Sequence, residues 1–290
     1  MHKLREDFEL KYILEYVGFP KSTYMYWQKR FDRKNPDKEI EDKMLEIRKK
    51  HPNMGYRGIY KELRCENIII NKKKVQRLVQ KLGLQVTAFT RKSRKHSTYK
   101  GRVGKVAPNR VNRRFGASIA KQKIVTDTTE FKYYEVNNKG RVVIKKLYVD
   151  PFMDLFNREI LSVSISKNPT AVSIHKALDE AILATTDCKY RRTFHSDQGW
   201  AYQMKSYVAK LKKYKIFQSM SRKGTCLDNS VMENFFGIMK QEMYYGNVFY
   251  SFEDLEKTIL NYIRYYNNER KKDYLDWMSP VQYRMNYQAI

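Results

Sequence analysis

Between positions 67 and 126 the chain carries no Asp or Glu, while 17 of those 60 residues are Lys or Arg. A run this one-sided cannot neutralise itself with internal ion pairs, so it either lies in solvent or meets a polyanion. It also divides the chain. Before it, apolar residues recur at helical spacing, and strand signals begin only near Lys123. Two regions of different architecture are therefore expected, and 290 residues suffice to bury a core in each. The whole chain shares the bias, with 58 Lys and Arg against 31 acids and a net charge of +27. Each phosphate neutralised by such a surface releases counterion, so nucleic acid is the partner the charge favours. RNA binding, or plain solubility, would use the same composition.

The first region reads as helices. Residues 8–31 give two short ones around Gly18-Phe19-Pro20, with Ser22 a candidate N-cap. Asn35-Pro36 opens the next, Asn as cap and Pro at the first helical position. Its apolar residues Ile40, Met44 and Ile47 share one face, and it stops near His51-Pro52. Another follows Gly55, with Ile59, Tyr60 and Leu63 apolar. Asn71 caps a third, in which Val75, Leu78, Val79 and Leu82 fall at i, i+3, i+4 and i+7 before Gly83 stops it. Three short helices with a basic third member predict a helix-turn-helix over 35–89, behind an N-terminal helical segment, 1–34. The third helix would present Lys72, Lys73, Lys74, Arg77 and Lys81 to DNA. A small bundle that only supports the next domain is the plainer alternative. Residues 90–120 read as a basic linker, partly disordered without DNA.

The second region, 121–246, reads as α/β with a mixed sheet. Residues 123–135 form one strand, 137–140 a turn, 141–149 a second strand and 159–165 a third. A helix over 170–184 leads to a strand at 192–196, a helix at 202–214 and a short strand at 216–219. Residues 228–244 read as helical. A last helix over 251–267, opened by Ser251 and Asp254 as a capping box, begins a C-terminal extension, 247–290.

Three acids stand at telling places. Asp127 lies in the first strand between Thr126 and Thr128. Asp197 ends the fourth, in His195-Ser-Asp-Gln-Gly199. Glu233 lies one turn into a helix. Taken singly, a strand-end Asp caps a turn and a helical Glu is a solvated face. Together they differ, because the 35 residues between Asp197 and Glu233 leave room for one helix, one strand and a loop. Such a segment can return a helical Glu to the strand ends, where three carboxylates make a hard-oxygen site for Mg²⁺ or Mn²⁺. Asn229 and Lys240 are spaced to share the Glu233 face, and Lys240 could hold a phosphate there. Val231, Phe235, Ile238 and Met239 are expected to pack inward. His195, two residues before Asp197, would face phosphate or serve the structure.

At these residues the chain resembles the transposases of the IS3 family of bacterial insertion sequences, IS150-like group, and more distantly the retroviral integrases. The likeness rests on His51-Pro-Asn-Met-Gly-Tyr-Arg57 and Asn71-Lys-Lys-Lys-Val-Gln-Arg-Leu78 in the helical part. It continues in Thr126-Asp-Thr-Thr129, His195-Ser-Asp-Gln-Gly199, Asp228-Asn-Ser-Val-Met-Glu233 with Lys240, and Asp154-Leu-Phe-Asn-Arg-Glu-Ile160. Tyr266-Asn-Asn-Glu-Arg270 with Ser279-Pro280 matches the family's C-terminal signature. Ile124 departs from the family's usual Trp, and the 69 residues between Asp127 and Asp197 are somewhat many.

The resemblance implies an RNase H-like core and a catalytic triad of Asp127, Asp197 and Glu233 holding two Mg²⁺ or Mn²⁺ ions. It implies DNA contacts from Arg57 and Arg270 besides the residues above. The expected partners are double-stranded DNA (terminal inverted repeats and target), a DNA-assembled homo-oligomer and a possible fusion to an upstream-frame product. A non-catalytic DNA-binding repressor and an RNase H-like nuclease without strand transfer remain as alternatives. Cys65, Cys188 and Cys226 are too scattered for a disulfide framework or zinc site, and the five His are equally dispersed. No apolar run reaches transmembrane length and no signal-peptide pattern opens the chain, so no membrane and a cytoplasmic, nucleoid-associated location are expected.

Overall fold

The computed structural model describes residues 3–5, 7–31, 35–87, 105–137 and 140–288, so 90–104 of the expected linker lie outside the described residues. Two short helices come first, α1 (Leu10–Val17) and α2 (Lys21–Phe31). Ser22 falls inside α2 rather than capping it. Gly18 ends α1 at φ 65°, a left-handed position that glycine takes without a Cβ clash.

Three helices then build a separate small core: α3 (Lys38–Lys50), α4 (Tyr56–Cys65) and α5 (Lys72–Lys81). Met44, Ile47, Ile59, Leu63, Val75, Leu78 and Val79 are buried together, as their spacing requires. The cap of α3 is Asp37, not Asn35. Asn35 accepts the Asp37 N–H at 3.0 Å and donates to Glu41 at 2.9 Å, so it braces the turn ahead of the helix. Asn71 does cap α5, accepting the Lys73 N–H at 2.8 Å.

The rest is one mixed sheet between two helical layers. Its strands are β1 (Lys123–Thr126), β2 (Thr129–Val136), β3 (Val142–Asp154), β4 (Ile160–Ser166), β5 (Thr193–Ser196) and β6 (Phe217–Met220). β3 pairs antiparallel with β4 on one side and with β2 and β1 in succession on the other. β1 then pairs parallel with β5, and β5 with β6. The pleat splits adjacent side chains between the two layers. Ile124, Phe152 and Phe194 meet α6 (Ala171–Ala184) and α7 (Lys205–Lys213). Val125, Met153 and Phe131 meet α8 (Ser230–Met239) and α9 (Phe252–Asn268). The chain ends in α10 (Pro280–Gln288), tied to the turn after β3 by Arg284 on Glu159 at 2.7 Å and by Asn157 on the Pro280 carbonyl at 2.9 Å.

Three expectations change here. The strand expected over 123–135 is broken in two at Asp127-Thr128. The helix expected over 228–244 is a 3-10 turn (Cys226–Asn229), then α8, then one π turn (Lys240–Tyr244). And 105–120 is not a free linker: Val111 is buried in the core, and the Arg110 N–H donates to Ser219 Oγ at 2.9 Å. Among the described residues, no helix is long and apolar enough to cross a membrane.

Because Asn71 supplies the only side-chain cap that α5 shows, Asn71→Ala should cost about 1 kcal/mol of helical-core stability. Urea unfolding followed by helix circular dichroism checks this, with Asn71→Asp expected to restore it.

Candidate active site

β1 and β2 follow β3 in one register, Thr126 opposite Phe152 and Thr129 opposite Val149. Asp127 and Thr128 therefore lie opposite Pro151 and Asp150. Pro151 has no N–H to give, and the ladder opens at that step. Val125 is paired in parallel with His195, so two residues further on Asp127 and Asp197 emerge at the carboxyl ends of neighbouring strands. Open α/β sheets place their ligand sites at such ends. A backbone N–H holds one oxygen of each acid: Thr128 on Asp127 Oδ1 at 2.9 Å, and Gly199 on Asp197 Oδ1 at 2.8 Å. Gly199 is needed for that approach, since a Cβ there would stand 2.8 Å from Asp197 Oδ1.

Glu233 is exposed, one turn into α8. Burial raises Asp127 well above the ordinary carboxylate range, and the nearby charges of Asp197, Glu233 and Asp150 raise it further. Burial also raises Asp197. The three acids thus share one electrostatic neighbourhood. Among the described residues, though, no three His, Cys, Asp or Glu converge closely enough to form a finished metal cage.

A fourth acid stands behind them that sequence reading missed. Asp150 is buried, accepting Thr128 Oγ1 at 2.6 Å and Ser173 Oγ at 3.5 Å. Burial pushes its carboxyl up to about 6. Tyr202, also buried, brings its hydroxyl to 3.4 Å from Thr128 Oγ1. Burial raises that phenol, and Asp150, Asp127 and Asp197 add to the effect. The one sequence signal for this layer was an Asp before Pro in the otherwise largely apolar run 147–153 of β3.

The head of α8 is fixed by Asp228, read from the sequence only as a helix start. Its carboxylate is fully buried and accepts five hydrogen bonds. Arg222 donates through N, Nε and Nη2 at 3.1, 2.8 and 2.9 Å, Arg113 Nε at 2.8 Å and Asn109 Nδ2 at 3.0 Å. The Arg222 hydrogen bonds hold Asp228 far below the usual carboxylate range. His195 finishes the joint. Its Nε2 lies 2.9 Å from the Asp228 carbonyl, which can only accept, so Nε2 carries the proton. Nδ1 is then left to accept from Ser219 Oγ at 2.8 Å. Buried, used at both nitrogens and depressed in pKa by its burial, His195 serves the structure and does not face phosphate.

The expected DNA-facing residues divide. Lys72, Lys73, Arg77 and Arg57 are exposed. Lys74 is paired with Asp37 at 2.5 Å and Lys81 with Glu41 at 2.7 Å, though Lys81 keeps 57% of its side chain in solvent. Lys240 stands 5.1 Å over the Phe131 ring. Asn229 does not share the Glu233 face: it lies in the 3-10 turn before α8, where helical spacing does not apply. It is buried, with Nδ2 3.4 Å from the Thr126 carbonyl and Oδ1 lacking any partner. Arg270 is likewise turned inward, forking onto Glu242 at 2.7 to 3.0 Å. Met232 and Phe236 join Phe235 and Met239 in the core, while Val231 and Ile238 are only half-buried.

The comparisons with known proteins agree with this architecture. Family profiles described as integrase core domain match residues 117–226 and 233–287, and one described as HTH-like domain matches 35–93. The InsK protein of insertion sequence element IS150 from Escherichia coli (strain K12) is 36% identical over 285 residues, 98% of this chain and 96% of its own length. A transposase-like protein of Haemophilus influenzae is 46% identical over 219 residues, 76% of this chain and 95% of its own. The HTLV-2 integrase catalytic core domain, solved in complex with magnesium, is 19% identical at a TM-score of 0.42, covering 57% of this chain and 97% of that one. The fold is that of a polynucleotidyl transferase with an integrase core, of the class that carries out DNA transposition and integration. The chain belongs to the IS150/IS3 family of insertion-sequence transposases.

Asp228 gives a pH prediction. A carboxyl whose folded pKa is depressed adds stability above its unfolded value of 3.8, and that stability is lost as pH falls below it. Asp228→Asn should therefore be less stable than the parent at pH 7 by roughly 2 kcal/mol, with the gap closing towards pH 3. Urea midpoints at the two pH values check this.

Proposed function

We propose that Asp127, Asp197 and Glu233 are the catalytic carboxylates of a DNA transposase that cuts element ends and joins the freed 3′-OH to target DNA. The observation that carries this is the shared field of the three acids at the ends of β1 and β5. Asp127 is raised by burial and then by the charges of Asp197, Glu233 and Asp150, with no cation offsetting them among the described residues, which is the charge a divalent ion would balance. The donors fit such an ion, being hard oxygens, with the unpartnered Asn229 Oδ1 buried beside the Asp127 strand.

In this reading Asp127 and Asp197 hold one Mg²⁺ or Mn²⁺, and Asp127 with Glu233 a second. When bound, the ions supply a low-pKa nucleophile and stabilise the leaving 3′ oxygen. The chain's own part is to set the geometry. The Thr128 and Gly199 N–H groups fix the rotation of two carboxylates. The Asp228 joint fixes the head of α8 and hence the approach of Glu233. Water first opens the phosphodiester at the element end, leaving a 3′-OH. That hydroxyl then attacks a phosphodiester of the target, whose own 3′ oxygen departs, and no covalent enzyme–DNA intermediate forms.

The helical region would read the terminal inverted repeats through the exposed Lys72, Lys73, Arg77 and Arg57. Two ends must meet for joining, so a DNA-assembled homo-oligomer follows, acting on the bacterial nucleoid in the cytoplasm. A fusion to an upstream-frame product would add to it.

Labelled duplexes carrying the element ends, incubated with the chain and Mg²⁺ or Mn²⁺, should give nicked and joined products. Asp127→Asn, Asp197→Asn and Glu233→Gln should each reduce both on the order of 10³-fold or more, with DNA affinity unchanged. Retained cleavage by Glu233→Gln would overturn the assignment. Nicking without joining would mark a nuclease, and binding without chemistry a repressor.

A further inference from the structure

A pocket opens beside α8, the helix that carries Glu233. It has a volume of about 250 Å³ and is walled by Asn234 and Ile238 of α8, Tyr266 near the end of α9, and Arg270, Lys272 and Tyr274 just beyond that helix. That is below the roughly 300–1,000 Å³ of sites that bury a whole small ligand, so it suits a single group projecting from a larger one.

Its floor is positively charged and short of counter-charge. Lys272 is only 5% exposed, yet no carboxylate pairs with it among the described residues. Its ammonium bonds the Tyr266 hydroxyl at 2.5 Å and lies 3.8 Å from that ring's centre. Glu242, the acid whose charge reaches Lys272, is already taken by the Arg270 fork and by the Tyr262 hydroxyl at 2.8 Å. Arg158 stands close behind, with Nη2 on the Phe115 carbonyl at 2.9 Å and Nη1 buried without a hydrogen-bond partner. Two other charged residues also line the pocket. Lys271 is drawn to Glu62 at 2.5 Å, and Asp273 is exposed at the surface. Burial, and then the charges of Arg270 and Arg158, hold the Lys272 ammonium well below its usual pKa. A buried cation beside two others is retained at a cost unless an anion completes it.

We propose that this pocket is an anion site for one backbone phosphate of bound DNA, held by Lys272 with Arg270 and Arg158 behind it. The inference rests on the reading that the Glu233 end of α8 meets the DNA, since Asn234 follows Glu233 directly. The phosphate would anchor the strand to α8 itself, so the helix that carries the third carboxylate would also position the substrate. Sequence reading placed Arg270 at DNA directly. Here its guanidinium is committed to Glu242, and Lys272 is the residue left to meet the ligand.

The test is fluorescence anisotropy of the full chain with a labelled duplex, in EDTA and over a range of KCl concentrations. Without metal there is no chemistry, so this readout is separate from the triad. Loss of joining with intact phosphate binding, or the reverse, tells the two readings apart. Lys272→Met, which keeps the length and drops the charge, should weaken binding about tenfold and flatten the log–log salt slope by about one. Ile238→Glu, which puts a carboxylate into the pocket wall, should do the same, and Lys272→Arg should restore most of the affinity. Should Lys272→Met fail to fold by its melting curve, Ile238→Glu decides. Unchanged affinity and slope in folded variants would overturn the proposal.

Discussion

The buried carboxylate of Asp228 ties the stretch ahead of β1 to the loop after β6 and the head of α8, more than a hundred residues further along the chain. Asn109 and Arg113 come from the segment entering the core, Arg222 from the loop after β6, and Asp228 itself from the head of α8. Five hydrogen bonds on one carboxylate, two of its partners guanidinium groups, are strong enough to make that meeting point definite. Around it the Arg110 N–H, Ser219, His195 and the Asp228 carbonyl form a chain in which every proton has a place. The consequence lies one helical turn away. Glu233 cannot take a defined position opposite Asp127 and Asp197 unless the start of α8 is fixed first. A helix on one side of a sheet is thereby registered to the strand ends in its centre.

That frame surrounds a site that is electrostatically unfinished. Asp127 sits among Asp197, Glu233 and Asp150, and burial raises its pKa, with their charges raising it further. The contrast with Asp228 is instructive. Both are Asp residues largely withdrawn from water, but one is flanked by guanidinium groups and the other by carboxylates, and their pKa values move in opposite directions. Natural cores seldom retain like charges at close range without a use for them. Asp150 deepens the contrast, because it adds a buried acid behind the site and holds Thr128, whose N–H fixes Asp127.

Much of this was legible in the sequence, and the reasons are physical. Met44, Ile47, Leu63, Val75 and Leu78 repeat at helical spacing, so the small helical core could be read directly. The Asn71 cap could be read for the same kind of local reason. Asp127, Asp197 and Glu233 could be singled out because strand-end and helix-start acids are conspicuous by position, and because the motifs around them resemble those of a known family. What could not be read depends on partners far away in the chain. The break between β1 and β2 comes opposite Pro151, more than twenty residues on. Arg270 looks like a free cation until Glu242 is folded beside it, and Asn229 looks helical until the 3-10 turn withdraws it. For His195 the sequence left phosphate contact and a structural role both open, because alternation along a strand gives a direction, not a neighbour.

The most direct test of the account is the position of the metal itself. A crystal of the chain soaked with Mn²⁺ should show anomalous scattering among Asp127, Asp197 and Glu233, and the peak should vanish in Asp127→Asn. A peak elsewhere, or none at these carboxylates under conditions that support joining, would contradict it.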